Sequence, residues 1–406
     1  MFTMPPDVVI AAQRLADLET PALLLDEPRL QANLRRVATR MAQLGVRLRP
    51  HVKTAKCLEV ARATDAANVA ARVPGAAERG PITVSTLREA DQFAAAGWRD
   101  ITYAVGLTPN KFAHVRRLLD QGVALTVILD SVDAARALGA AAAGWPTPVP
   151  VLIEIDTDGQ RAGLRPDAAA LREVAAALSG TGVRLQGVLT HCGGAYHAHG
   201  EAALRAVAEQ ERAGAVHAAE RLRAAGFAAP VVSVGSTPTA LFAKQLAGVT
   251  EVRAGVYVFM DLMMAALGVC RLDEIAASVL TTVIGHQPDR GWTLIDAGWM
   301  ALSRDRGLAG EFEDQGLGLV CDAAGEVIGA EGGEGGGEWI VSAANQEHGI
   351  VTHRSGDATR LLDLPVGSLL RILPNHACAT AAQHAHYEVL GAAGAVRQRW
   401  ARFMGW

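Results

Sequence analysis

The stretch Arg49-Pro50-His51-Val52-Lys53-Thr54-Ala55-Lys56 carries the densest chemistry in the chain. Lys53 follows a short apolar run (Val46, Leu48) and precedes a helical pattern from about Cys57 to Ala71, so a strand ends at the lysine and a helix begins soon after. In a β/α barrel that end of a strand is where reactions are carried out. An amine held in an apolar mouth binds its proton less tightly and becomes available as nucleophile and base. A surface lysine at the start of a loop fits the same spacing. Lys56, about one helical turn further on, reads as a solvated neighbour.

Four other stretches have residue types suited to chemistry. Val234-Gly235-Ser236-Thr237-Pro238-Thr239 follows an apolar strand. Its small and hydroxylated residues let backbone N–H groups approach a phosphate and add donors, although an ordinary βα turn has the same composition. Its place near a seventh strand is where barrel phosphate sites gather. Glu154 to Gly163 ends another strand with charge; Arg161 there suits an anionic cofactor oxygen or a simple ion pair within the loop. In His191-Cys192-Gly193-Gly194-Ala195-Tyr196 the tyrosine suits stacking on an aromatic cofactor, or mere packing over the loop. His191 and Cys192 are adjacent and face opposite sides of a strand, which makes them a poor metal pair.

Pro374-Asn375-His376-Ala377-Cys378-Ala379-Thr380 is the sharpest signal in the second half. Residues two apart on an extended segment share a side, so His376 and Cys378 converge on one ion. A thiolate with an imidazole suits zinc, and two protein ligands leave positions open for catalysis. A buried cysteine beside a part-exposed histidine is the alternative. Gln383-His384-Ala385-His386 reads as surface rather than ligand.

Strand-like segments at 22–25, 46–48, 82–85, 101–104, 125–129, 149–155, 187–191, 231–234 and 251–252 alternate with alanine-rich helical stretches. That alternation predicts a parallel sheet, and about eight strands favour a closed (β/α)8 TIM barrel over an open doubly wound sheet. No Gly-x-Gly-x-x-Gly follows the first strand, which disfavours dinucleotide binding. From about Leu267 the texture changes to short strands, with a glycine–glutamate loop at 331–337, predicting a C-terminal, mostly antiparallel β domain. The boundaries expected are 20–268 for the barrel and 269–406 for the β domain, with residues 1–19, which carry a short helical pattern, able to pack on the latter.

The 406 residues are 50% apolar and 20% charged, with 38 Lys and Arg against 42 Asp and Glu. No basic tract stands out, which argues against nucleic acid, and no apolar run approaches the roughly 20 residues of a membrane span. No signal pattern opens the chain, and its 5 scattered cysteines are no disulfide framework. Both point to a reducing cytoplasm.

These pieces, in this order, resemble the fold-type III pyridoxal phosphate enzymes, within them the eukaryotic-type D-serine dehydratase and D-threonine aldolase group. The resemblance covers nearly the whole chain and includes Thr20-Pro21-Ala22, Gly255 to Asp261 and Gln346-Glu347-His348-Gly349. It implies pyridoxal 5′-phosphate as cofactor, with Lys53 as its Schiff-base lysine. Gly235, Ser236 and Thr237 would hold the phosphate with help from Tyr257, and Tyr196 would lie near the ring. His51, Arg161, His191 and Asp261 are counted as further cofactor contacts. His376 and Cys378 would bind Zn2+, or another divalent cation such as Mn2+ or Mg2+. Aldolases of the group carry His-x-Asp at that point, whereas His376-Ala377-Cys378 follows the dehydratases; Ala55 departs from a histidine frequent in relatives. The implied reaction turns D-serine or a related D-β-hydroxy amino acid into a keto acid, such as pyruvate, and ammonia. D-threonine aldolase and D-threo-3-hydroxyaspartate dehydratase are the alternatives. A homodimer is implied on the same ground.

Overall fold

The computed structural model describes residues 8–180, 182–307, 309–329, 337–392 and 394–406. The loop expected at 331–337 therefore lies outside the described residues apart from Gly337. The chain forms two compact units. One is Leu34–Tyr257 with Gly405–Trp406; the other joins the chain up to Asn33 to Val258–Met404.

The first unit holds eight parallel strands. In chain order they are Arg47–Leu48, Ile82–Val84, Asp100–Gly106, Ala124–Leu129, Val149–Ile155, Val183–Thr190, Val231–Val234 and Glu251–Val252. The first pairs with the eighth, and the sheet closes through the residues just after the first strand. Thr83 donates its N–H to the Pro50 carbonyl at 2.8 Å, and Val52 donates to the Thr83 carbonyl at 2.9 Å. Lys53 thus follows the last residue that the barrel ladder fixes. Apolar strand runs are needed here because helices cover the sheet. Ile128, Leu152 and Leu189 are fully buried in one such layer. The long helix Gly200–Ala224 buries Leu204, Ala208, Glu211, Ala215, Ala218, Ala219 and Leu222, mostly small residues at helical spacing. Small side chains let it lie close, and they carry one carboxyl, Glu211, into the interior.

The second unit is a ten-stranded sheet whose strand Leu369–Leu373 also pairs with Ala277–Gln287, closing a small antiparallel barrel. Sequence places Ala22–Asp26 at the start of the (β/α)8 barrel. The structure pairs it antiparallel with Ala277–Gln287 and parallel with His386–Leu390. Its buried run suits either sheet; the deciding contacts are distant, among Ala22, Leu24, Leu280, Leu390 and Val396. Similarly, Val8–Gln13 is a strand paired with Val396–Ala401 where a helical pattern was expected, since ladder pairing overrides weak local preference. No helix among the described residues is long and apolar enough to cross a membrane.

Candidate active site

The lysine turn is shaped by its neighbours on both sides. His51 donates its N–H to the Ala254 carbonyl at 2.8 Å, which extends the first strand along the eighth. Gly255 is required beside it, because a Cβ there would stand 2.9 Å from the His51 carbonyl oxygen and 3.1 Å from Thr54 Oγ1. Val52, Thr54 and Ala55 are buried while Lys53 is exposed, so packing below the turn holds the amine outward. Lys56 is not the solvated neighbour expected: its Nζ lies 3.1 Å from Glu89 and its side chain is only 14% exposed.

Lys53, His51, His191, Arg161 and Arg253 lie close enough to feel one another's charge. His191 follows the sixth strand, and its Nδ1 donates to the Gly235 carbonyl at 3.1 Å. Burial first, then Arg161 and Lys53, lower its pKa to about 3. His51 is likewise held well below the usual imidazole value by burial and then by Lys53 and Arg253. Its Nδ1 is enclosed with no hydrogen-bond partner among the described residues. The Arg161 guanidinium is exposed and 3.5 Å from the buried Glu154. Tyr196 lies beside His191 with ring centroids 6.4 Å apart.

Gly235 adopts φ +133°, and a Cβ there would stand 2.2 Å from the Arg253 carbonyl oxygen. Only glycine can make this turn. Ser236 caps the short helix Thr237–Phe242. Thr237 Oγ1 accepts the Tyr257 N–H at 3.2 Å, which leaves the threonine's own hydrogen for an anion. The Tyr257 phenol does not join this turn; it is buried against Thr64 and Asp65, and burial raises its pKa. Two residues beneath the site were not foreseen. Glu211 accepts the Gly235 N–H at 3.0 Å and the Cys192 N–H at 3.1 Å, tying the ends of two strands together. Arg253 is buried and donates to Ser233 Oγ at 2.7 Å and to the Thr190 carbonyl. Burial lowers its pKa to about 10, against the pull of Glu251, Glu211 and Glu154. In sequence it passes for a charged strand end. The Cys192 thiol faces Asp158 at 3.1 Å, away from the His191 hydrogen bond, so the two share no metal geometry.

A glycine cradle, a buried hydroxyl with a spare hydrogen, an enclosed imidazole nitrogen without a partner and an exposed lysine fit pyridoxal phosphate.

In the other unit, His376 is not on an extended run: it caps the short helix Ala377–Ala381. The cap still brings its imidazole into hydrogen-bond contact with Cys378. Its Nδ1 is 2.8 Å from Asp305 Oδ2. Burial opposes its charge, but Asp305 and Cys378 outweigh that and raise its pKa to about 11. Asp261, grouped in sequence with the cofactor contacts, belongs with this segment. Its carboxylate accepts the Met264 N–H at 2.9 Å and the Ala377 N–H at 3.0 Å, and burial raises its pKa to about 6. Among the described residues no three His, Cys, Asp or Glu side chains are arranged to hold a metal. The His376/Cys378 pair offers a soft donor set with open positions, which fits a catalytic ion.

Residues 25–263 match the alanine racemase N-terminal domain and residues 276–390 a putative serine dehydratase domain. The chain is 50% identical to D-threo-3-hydroxyaspartate dehydratase of Delftia sp. (strain HT23) over 97% of its own length and 99% of the relative's. Two solved variants of a D-threo-3-hydroxyaspartate dehydratase superpose closely. One, with a histidine replaced by alanine, gives TM-score 0.90 at 50% identity and covers 97% of each chain. The other, with a cysteine two positions later replaced by alanine and in the metal-free form, gives TM-score 0.89 at 50% identity, covering 97% of this chain and 100% of that one. With its (β/α)8 barrel, its C-terminal β barrel and these matches, the chain belongs to the fold-type III pyridoxal phosphate family, among the lyases of D-β-hydroxy amino acids.

Proposed function

We propose that this protein is a pyridoxal phosphate- and divalent metal-dependent dehydratase of D-threo-3-hydroxyaspartate, releasing oxaloacetate and ammonia. The observation that carries the reading is the 50% identity to a dehydratase of that substrate over 97% of the chain. The His376-Ala377-Cys378 spacing repeats the histidine and cysteine replaced two positions apart in the solved variants, of which the cysteine variant is metal-free. Zinc is the ion that this donor pair suits best.

When bound, the cofactor supplies an electron sink for charge at the α-carbon, and the metal a Lewis acid for the β-oxygen. The chain's own residues do the rest. The exposed Lys53 amine would hold the cofactor, and its Nζ is the base placed to accept the α-proton. Gly235 and Thr237 would take the phosphate, while Glu211 keeps their turn in place by holding the Gly235 N–H. His51 and His191 are neutral, so each presents a lone pair without adding charge. The exposed Arg161 guanidinium is suited to a substrate carboxylate, and a dicarboxylate gains more from it than D-serine does. Loss of water across Cα–Cβ, then hydrolysis of the released enamine, balances to keto acid and ammonia.

The test is an assay of the purified protein with D-threo-3-hydroxyaspartate, D-serine and D-threonine. Oxaloacetate should form with kcat/KM roughly 10–100-fold above that for pyruvate from D-serine, the range of one or two charge-assisted hydrogen bonds. Pyruvate formed faster than oxaloacetate makes D-serine the substrate. Glycine and acetaldehyde from D-threonine, with no keto acid from any substrate, make the protein an aldolase.

A further inference from the structure

We infer that Asp305 is the positioning residue that presents His376 to the metal, fixing which imidazole nitrogen remains to bind it. The inference rests on reading His376 and Cys378 as metal ligands and adds a residue that neither sequence nor spacing singles out.

A carboxylate only accepts, so the 2.8 Å contact between His376 Nδ1 and Asp305 Oδ2 places the ring hydrogen on Nδ1. With Nδ1 committed to Asp305, Nε2 is the nitrogen left for a metal, which would take the place of the second ring hydrogen, and the hydrogen bond raises the basicity of the ligand. Asp305 is itself held on every side. Its Oδ1 accepts the Gly307 N–H at 2.8 Å, and its own N–H donates to Ser303 Oγ at 3.0 Å. Asn375 Nδ2 donates to the Asp305 carbonyl at 3.2 Å and to the Gly316 carbonyl at 2.8 Å. Both carboxylate oxygens are thus engaged, which makes Asp305 a support for His376 and not a third ligand. From the other direction, Asp261 receives the Ala377 N–H. Of the three consecutive residues, Asn375 is tied to Asp305 and Gly316, His376 to Asp305, and Ala377 to Asp261.

The experiment titrates Zn2+ and Mn2+ into the metal-stripped, full-length protein against a chromophoric chelator. It compares the parent with Asp305→Ala, Asp305→Asn, His376→Ala and Cys378→Ala, and records the melting temperature and cofactor absorbance of each. Asp305→Ala should weaken metal binding roughly 10–100-fold, the usual cost of removing such a support. Its cofactor band should be unchanged. Asp305→Asn keeps an acceptor without the charge, so it should fold like the parent and lose at least about fivefold in affinity; it decides the matter if the alanine variant does not fold. Parent-like affinity in both Asp305 variants, with binding lost in His376→Ala, overturns the positioning role and leaves the metal site standing. Parent-like binding in His376→Ala and Cys378→Ala as well overturns the metal reading, and this inference with it.

Discussion

His51 and His191 share the barrel mouth with Lys53, Arg161 and Arg253; burial, reinforced by these cations, keeps both imidazoles uncharged. A site that must hold a phosphate and a carboxylate gains from fixed cations, while neutral histidines can accept hydrogen bonds without competing for those anions. Two substitutions test the residue assignments. Lys53→Ala should abolish the visible band of the protein-bound cofactor and lower turnover by at least roughly 10²–10⁴-fold, the worth of a positioned acid–base group. A persisting band would remove Lys53 from the centre of the site. Gly235→Ala forces a Cβ to 2.2 Å from the Arg253 carbonyl at φ +133°. It should cost roughly 1–3 kcal/mol or more in denaturant unfolding and reduce cofactor retention in dialysis. An unchanged midpoint with full cofactor content would contradict that account.

At the scale of elements, the strands of the (β/α)8 barrel are joined by buried charge as well as by ladder hydrogen bonds. Glu251 on the eighth strand lies 2.6 Å from Arg47 and 2.9 Å from Arg49, and accepts from Ser233 Oγ of the seventh strand at 2.8 Å. Arg49 reaches Asp100 of the third strand at 2.7 Å. Burial alone would raise the Glu251 pKa, but the two arginines lower it from 4.5 to about 2. On acidification the unfolded chain takes up this proton first. The carboxylate's stabilisation is therefore complete above about pH 4.5 and is lost as pH falls through about 2, on the order of 3 kcal/mol in all. Glu251→Gln should lose roughly 3–5 kcal/mol at pH 7 by stranding the arginines, and its stability should fall less steeply between those pH values. Equal slopes in parent and variant would refute the linkage. The contrast between Glu251 and the lysine turn shows what sequence can convey. Lys53, Gly235 and His191 stand at strand ends marked by a change of residue type within a few positions, so their common end of the barrel is legible. Glu211 is 24 residues from Gly235, and Asp305 is 71 from His376; only tertiary packing joins them. The strand Ala22–Asp26 was misplaced for the same reason. His376 and Cys378 do meet, yet through a helix cap where the sequence suggests an extended run.

For the whole molecule, the division of labour follows the division of the chain. Lys53, His51, His191 and the Gly235–Thr237 turn belong to the unit Leu34–Tyr257, whereas His376, Cys378, Asp305 and Asp261 belong to the unit built around Val258–Met404. Among the described residues, Glu211 and Arg253 support the first set, and Asp305 and Asn375 support the second. Cofactor and metal should therefore be removable one at a time. Treatment with a strong chelator should eliminate turnover while leaving the cofactor band and the thermal midpoint close to those of the untreated protein, and added Zn2+ or Mn2+ should restore activity. Cys378→Ala should reproduce the chelated state permanently, because one thiolate is half of the protein's donor set. Metal analysis alongside absorbance spectra decides this: cofactor released in step with the metal would show that the two sites depend on each other, and full turnover without metal would confine the chemistry to the barrel residues.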